Sequence, residues 1–191
     1  GGEASRLTDM KGGVESFAWS PDSKRLVLVA SDPDPDAPAD DETKDEEATP
    51  KPIVTRRIQF KYDTQGYLRE LRSHLYVFDV EKKTSVQITT GPYDDDQPVW
   101  SPDGKTIAFV SNRTAEPDTN RDTNIFLIAP VAGETPKAIT SNPSEDDRPA
   151  WSPDGKTIVY VAGGAVADMW YGPSHVSTVN VATGEVKALT K

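Results

Sequence analysis

Cysteine is absent from the 191-residue chain, which excludes disulfides, thiol catalysis and cysteine-based metal sites. No apolar run approaches the roughly 20 residues that a membrane-spanning helix needs, so we expect no membrane partner. Basic residues are outnumbered by acidic ones, 21 against 31. This acidity argues against DNA or RNA as a partner, because such binding depends largely on neutralised phosphates. The first residues carry no signal-peptide pattern, so the cytoplasm is the favoured compartment, with periplasm or secretion left open.

The acidic residues are concentrated in one stretch. Nine acids and only two lysines lie in residues 32–52, so this stretch carries -7 of the formal charge of -10. Its first twenty positions contain no Val, Ile, Leu or aromatic residue, which predicts a solvated loop. A basic, strand-like run that contains Arg56 and Arg57 follows directly. The acidic loop either folds back over this run or is simply a tolerated insertion.

A Trp-Ser-Pro-Asp string occurs three times, starting at Trp19, Trp100 and Trp151. Proline sets φ for a type I turn, and a glycine follows the aspartate in two copies, whereas Ser23 takes that position in the first. An apolar, β-branched run comes after each turn, and a second hairpin pattern ends each unit at a threonine. Four short strands per repeat predict an all-β protein built from propeller blades.

The terminal threonines of the units, Thr8, Thr89, Thr140 and Thr190, are separated by 81, 51 and 50 residues. A blade takes about 40–50 residues, and the acidic insertion with the basic run accounts for the longer first interval. The predicted architecture is therefore three four-stranded blades of a β-propeller plus the last strand of a preceding blade. The boundaries are 1–8 for that strand, 9–90 for a blade with the insertion 32–52, then 91–140 and 141–191 for two further blades.

Three blades cannot close a ring, because propellers typically have about 4–8. The outer blades would then expose apolar sheet faces that are suited to a neighbouring blade. We therefore expect the chain to be a piece of a longer protein. The alternative is that two such chains pair into a six-blade ring.

Several strings resemble catalytic or metal motifs but lack a required residue. Gly104-Lys105-Thr106 has no glycine five positions earlier and precedes a predicted strand, so it is not a phosphate loop. Gly172–Val176 starts like a nucleophile elbow but ends on valine. The strings that begin at Asp32 and Asp118 resemble the start of a calcium loop without its glycine and glutamate. We therefore predict no cofactor and no metal, with opportunistic calcium as the weaker alternative.

Carboxylates precede the Trp strand in two of the three units. Asp96 and Asp147 occupy matching positions there. Their repetition favours a structural role at the strand entrance, with a ligand role at the propeller channel as the alternative, so both are channel-facing candidates. The repeated tryptophans are predicted to pack between blades, because their positions recur independently of any ligand.

The Trp-Ser-Pro-Asp-Gly-Lys string with its apolar strand resembles the propeller repeat of TolB-like proteins and of the prolyl oligopeptidase family of serine peptidases. The segment Thr55–Tyr67, which leads to the His74-Leu75 strand, resembles the acylaminoacyl-peptidase branch. The resemblance implies an N-terminal propeller of about seven blades that covers a C-terminal α/β-hydrolase domain. The serine, histidine and aspartate of that chemistry would lie in the hydrolase domain, so no catalytic residue is assigned to this chain.

The resemblance implies that this chain gates and positions short peptides, with further blades and a hydrolase domain of the same protein as its partners. Arg56, Arg57 and Arg113 are candidates for holding a peptide carboxylate, because guanidinium pairs with carboxylate through two hydrogen bonds. The alternative is a non-catalytic TolB-like scaffold that binds a protein partner.

Overall fold

A computed structural model describes residues 2–35, 52–63 and 66–190, with the side chains of residues 169 and 170 excepted. Most of the predicted acidic insertion therefore lies outside the described residues. Three four-stranded antiparallel sheets make up most of the described chain. This confirms the prediction of an all-β protein built from propeller blades.

Each sheet is one blade, with its strands in chain order from the inner to the outer edge. The first blade consists of β1 (Val14–Trp19), β2 (Arg25–Ser31), β5 (Ser73–Asp79) and β6 (Thr84–Gln87). The second blade consists of β7 (Asp95–Trp100), β8 (Ile107–Ser111), β9 (Asn124–Ile128) and β10 (Lys137–Ala138). The third blade consists of β11 (Asp146–Trp151), β12 (Thr157–Ala162), β13 (His175–Asn180) and β14 (Val186–Ala188).

The connections between strands carry the remaining elements. A small hairpin of β3 (Lys61–Tyr62) and β4 (Gly66–Tyr67) lies in the long connection from β2 to β5. Two 3-10 helices, Pro117–Thr119 and Val166–Tyr171, lie in the equivalent connections of the second and third blades. Within the described ranges, no helix has both the length and the apolar character to cross a membrane.

The Ser-Pro-Asp string folds as its chemistry predicts. In the second blade the Ser101 hydroxyl donates to Asp103 at 2.7 Å, and the same carboxylate accepts the Lys105 N–H at 3.1 Å. The serine hydrogen bond is the main cause that lowers the pKa of the Asp103 carboxyl. Gly104 follows with φ of +68°, and Ser23 adopts φ of +56° at the matching position of the first blade. The predicted left-handed residue is therefore present even where glycine is absent.

Packing between blades is predicted for all three repeated tryptophans, and two of them show it, whereas Trp19 is 52% exposed. The indole N–H of Trp100 donates to the Ala18 carbonyl of the first blade at 3.2 Å. Trp151 donates in the same way to the Val99 carbonyl of the second blade, also at 3.2 Å. Trp100 is 7% exposed and belongs to the apolar core between the first two blades. The second and third blades are therefore each fixed to the preceding blade by the same indole contact.

The threonine that ends each unit also has a structural role. Thr89 accepts the Leu75 N–H through its hydroxyl at 2.8 Å, and Thr140 accepts the Ile125 N–H at 2.9 Å. The third blade repeats the contact between Thr190 and Val176. In each case the hydroxyl satisfies a strand N–H at the sheet end, where the ladder stops. The spacing of these threonines along the chain therefore gives the length of each blade.

Residues 2–10 form no strand, and the first strand begins at Val14. The last strand of a blade must pair with the other strands of its own sheet, and each of the three described sheets already has its four strands. The assignment of residues 1–8 to such a strand therefore stays a prediction.

Candidate functional site

The loops that enter the inner strands and the loops that join the second and third strands lie at one end of the sheets. A cleft of about 660 Å³, called the central cleft below, opens there and reaches from the first to the third blade. Asp96 and Asp147, the two channel-facing candidates, both line it. Three arginines and five carboxylates contribute to its lining, so the central cleft is acidic overall.

A bulge in each inner strand positions these two candidates. The ladder between β7 and β8 shifts register between Asp96 and Val99, and that between β11 and β12 shifts after Asp147. Gln97 and Arg148, which follow the aspartates, have φ of +52° and +53°. Bulges re-aim side chains next to functional sites in many sheets. Here the bulge leaves Asp96 exposed in the cleft while the preceding Asp95 is fully buried.

Asp147 is more enclosed than Asp96. Burial raises the pKa of its carboxyl, and the Glu145 charge adds to this, while the Arg148 charge acts in the opposite direction. The Oδ1 atom is buried and forms no hydrogen bond with a described residue. The Asp147 carboxyl is therefore protonated more readily than an ordinary aspartate.

One wall of the cleft is the arginine segment, residues 52–63 and 66–72, which includes the β3–β4 hairpin. The base of the arginine segment, where its two ends meet, is closed by two hydrogen bonds. The Asp32 N–H donates to the Arg72 carbonyl at 2.7 Å, and the Asp32 carboxylate accepts the Arg72 N–H at 3.0 Å. The segment therefore leaves and rejoins the first blade at one point. Tyr62 and Gln59 bring it to the cleft lining.

Arg57 attaches the arginine segment to the second blade. Its Nε and Nη2 bind the two carboxylate oxygens of Asp118 at 3.2 and 3.0 Å, and its Nη1 donates to the Leu71 carbonyl at 3.0 Å. Arg72 adds contacts of 2.7 Å to Asp94 and 3.3 Å to Asp118. We call Arg57, Arg72, Asp94 and Asp118 the arginine–carboxylate cluster. Both arginine side chains are more than nine-tenths buried.

Asp118 stays ionised in this cluster. Burial acts to raise the pKa of its carboxyl, but the hydrogen bonds and charges of Arg57 and Arg72 together outweigh burial and lower it. The calcium-like string that begins at Asp118 is thus bound to two guanidinium groups, which oppose a cation there. Among the described residues, no group of three or more acidic or histidine side chains is placed to hold a metal.

Arg113 lies deeper, between the first two blades. Its Nη2 donates to Asp95 at 2.7 Å, and its guanidinium lies 5.6 Å from the ring centre of Phe109 and 5.4 Å from that of Phe126. Asp95 has no exposed surface, and its second oxygen lies 3.6 Å from His74 Nδ1. The Arg113 charge is therefore committed to a buried carboxylate.

The three predicted arginines thus lie in different surroundings. Arg57 and Arg113 are bound to internal carboxylates, whereas the exposed Arg56 guanidinium makes no hydrogen bond or ion pair with a described residue. Arg56 and Arg57 share a second cleft of about 200 Å³. The sequence predicts no role for Arg72, and for the acidic run that contains Asp94 it predicts only a structural role before the Trp strand, not a contact with the arginine segment.

Asp146 is the blade-three counterpart of Asp95 and is equally buried, but within the described part of the chain no arginine binds it. Burial raises the pKa of its carboxyl, against hydrogen bonds from Thr140 and Asn142, and the Asp122 and Asp147 charges add to the rise. A raised folded-state pKa gives stability that is present at acidic pH and lost as pH rises through that pKa.

We therefore expect Asp146→Asn to leave the chain at least as stable at pH 7 and to flatten the loss of stability above about pH 4. Urea unfolding at pH 4.5 and pH 7 measures this. Asp103→Asn is the control of opposite sign, because its pKa is lowered and its contribution disappears as pH falls. A strongly destabilised Asp146→Asn at pH 7 would contradict the expectation.

Residues 63–190 match the model of the TolB beta propeller domain, which is about two thirds of the chain. The uncharacterized peptidase YuxL of Bacillus subtilis is 29% identical over 128 residues, which are 67% of this chain and 19% of that protein. Dipeptidyl-peptidase 5 of Porphyromonas gingivalis is 27% identical over 173 residues, covering 79% of this chain and 24% of that protein. The chain thus spans about a fifth of the first relative's length and about a quarter of the second's.

Among solved structures, the acylaminoacyl peptidase of Pyrococcus horikoshii superposes with a TM-score of 0.59 at 18% identity. The match covers 92% of this chain and 25% of that one. At this identity the likeness establishes the fold alone.

Proposed function

Because the chain belongs to the TolB β-propeller domain family, we propose that it is part of a propeller that gates and positions short peptides for a serine peptidase. The observation that supports this most is the central cleft at the ends of the inner strands, where Asp96 and Asp147 meet the arginine segment. Both curated relatives are peptidases, which favours this function over a scaffold for a protein partner. The catalytic domain would lie outside this chain.

The two ends of a short peptide suit different parts of this surface. The acidic lining around Asp96 and Asp147 favours the positively charged amino terminus. Arg56, whose guanidinium binds none of the described residues, offers it to the carboxylate at the other end. Arg57 and Arg113 have a structural role at this surface, because their charges already bind carboxylates within the protein. Held at both ends, a peptide is fixed in position before it reaches the catalytic groups, which lowers the entropic part of the barrier.

Peptide kinetics of the full-length protein test this proposal. Arg56→Ala is expected to raise KM about tenfold for a tetrapeptide with a free carboxylate and to leave its amide unaffected, as the loss of one charged contact predicts. Asp96→Asn should raise KM for a free amino terminus but not for its acetylated form. Arg6→Ala, at an exposed arginine paired with Asp9, is the matched control. Equal KM values for all variants and blocked forms would refute peptide positioning at this face.

A further inference from the structure

At the end of the sheets opposite the central cleft, an arginine of the first blade fills the gap between two turns. The Arg25 guanidinium lies over the Trp100 ring, 4.8 Å from its centre, and donates to the Gly104 carbonyl at 3.1 Å. Its Nη2 atom also lies 3.9 Å from Asp22 Oδ2. A cation of the first blade therefore covers the indole of the second blade, and the negative face of the ring attracts it.

Between the second and third blades, a threonine takes the place of that arginine. The Arg25 N–H donates to Ser20 Oγ, and the Thr106 N–H donates to Ser101 Oγ, each at 3.0 Å. Arg25 and Thr106 thus occupy the same backbone position in their turns. Because threonine is uncharged and much shorter, it cannot supply the guanidinium that Arg25 supplies.

The gap between the second and third blades is a slot of about 400 Å³, called the indole slot below. Trp151 lines it and is only partly buried, whereas Trp100, which Arg25 covers, is 7% exposed. The rest of the lining comes from the turns of both blades and includes Asp103, Thr106, Asp154 and Gly155. The indole slot therefore combines one aromatic side chain with two acidic ones.

The surroundings of two equivalent glycines show that the indole slot is open. A Cβ atom added to Gly104 would meet the Arg25 guanidinium at 3.6 Å. For a Cβ atom added to Gly155, the Pro102 ring at 3.7 Å is the one contact within 4 Å that the described residues make, its own chain neighbours aside. The space beside Gly155 therefore lacks the counterpart of Arg25.

The two carboxylates of the indole slot are ionised at neutral pH. Hydrogen bonds from the serines of their turns are the main cause that lowers the pKa of the Asp103 and Asp154 carboxyls. In the first blade, Asp22 accepts the serine and lysine hydrogen bonds on Oδ1, and its Oδ2 lies beside Arg25. Asp103 accepts the same two hydrogen bonds on Oδ1. Its Oδ2 is therefore placed to pair with a cation in the indole slot.

We propose that the indole slot binds a guanidinium group, presented as an arginine side chain by a partner polypeptide. The guanidinium lies over the ring of Trp151, donates to the Gly155 carbonyl and pairs with Asp103. These are the three contacts that Arg25 makes one blade earlier. A lysine ammonium fits less well, because it is more strongly hydrated and lacks the planar shape that stacks on an indole.

Arg25 also shows how a side chain of another polypeptide segment can enter. It reaches over from a neighbouring turn, and 29% of its side chain stays exposed. The indole slot is thus open to an arginine from outside the chain. The proposal concerns the end of the sheets opposite the central cleft and does not depend on what that cleft binds.

The indole N–H signals of the isotopically labelled chain in NMR spectra report binding. The probe is N-acetyl-arginine amide, whose only charge is its guanidinium. We expect the Trp151 signal, assigned from Trp151→Phe, to shift saturably at several-fold lower concentration than that of Trp19, which is 52% exposed and reports unspecific contact. The uncharged N-acetyl-citrulline amide should give no saturable shift, and the lysine compound should bind several-fold more weakly.

Exchanging the two turn residues gives matched control variants. Thr106→Arg should fill the indole slot from within, abolish the shift of Trp151 and raise the folded-to-unfolded ratio by about two- to fivefold. Arg25→Thr should open a second slot, so that Trp100 also responds to the arginine compound. Asp103→Asn should weaken binding by about two- to fivefold, as the loss of an exposed ion pair predicts.

Three results would contradict the proposal. Equal Trp151 shifts with the arginine, lysine and citrulline compounds, or no saturable shift with any of them, overturn a guanidinium site. A saturable Trp151 shift that survives Thr106→Arg overturns its location. A Trp151 signal that moves on dilution of the chain alone, together with a concentration-dependent mass in light scattering, means that a second copy fills the indole slot and overturns the choice of partner.

Discussion

Replacing Arg113 with alanine is expected to lower the free energy of unfolding by about 3–5 kcal/mol, the usual cost of removing one partner of a buried ion pair. The variant leaves Asp95, which has no exposed surface, without its 2.7 Å contact to a guanidinium. It also removes the cation from above the rings of Phe109 and Phe126. Urea unfolding monitored by tryptophan fluorescence gives the change.

The double variant Arg113→Ala with Asp95→Asn separates charge from packing. Removing both charged partners is far less costly than stranding one, so the second substitution should recover much of the lost stability. Arg56→Ala, an exposed arginine without a described partner, should change the free energy of unfolding by less than about 0.5 kcal/mol. If the double variant is no more stable than Arg113→Ala, packing rather than the stranded carboxylate carries the effect.

Arg57→Ala is expected to cost about 2 kcal/mol, because the charged hydrogen bonds to Asp118 are lost while Arg72 still neutralises part of that carboxylate. The same change should release the arginine segment from the second blade. Chymotrypsin can report this at Phe60, Tyr62 and Tyr67, which are all about half exposed. Cleavage there should accelerate by roughly tenfold or more if it follows the opening equilibrium.

Arg57→Lys is the conservative companion variant. It keeps the charge but loses the forked geometry, so its cleavage rate should fall between those of the parent and Arg57→Ala. Cleavage of Arg57→Ala at the parent rate would show that other contacts hold the segment.

The blades could be predicted because their determinants are local. The Ser101 to Asp103 contact spans two residues and recurs in each turn, so each copy of the string reports its own structure. The tryptophan contacts followed from repetition, although they join residues about 80 and 50 positions apart. Repetition thus made some distant contacts visible in one sequence.

The site was less predictable because its contacts are distant and not repeated. Arg57 and Asp118 are 61 residues apart and belong to connections that differ from blade to blade. Asp95 and Asp146 look equivalent in sequence, yet Arg113 binds the first, whereas no arginine of the described ranges binds the second. The difference between the two buried carboxylates is that Asp95 has a guanidinium partner. That partner, Arg113, lies in a loop, and no pattern in a single sequence marks it.

The closed base of the arginine segment has a consequence for how this protein can change over evolution. Asp32 and Arg72 bind each other where β2 ends and β5 begins. The blade therefore fixes the positions of the two ends of the segment but not the length of chain between them. Doubling a flexible loop costs only about 0.6 kcal/mol in closure entropy. Changes in chain length between these two residues that keep Arg57 and its contacts are therefore nearly neutral for the sheet. New recognition surfaces can therefore be inserted at this position, beside the cleft, while the propeller sheets stay unchanged.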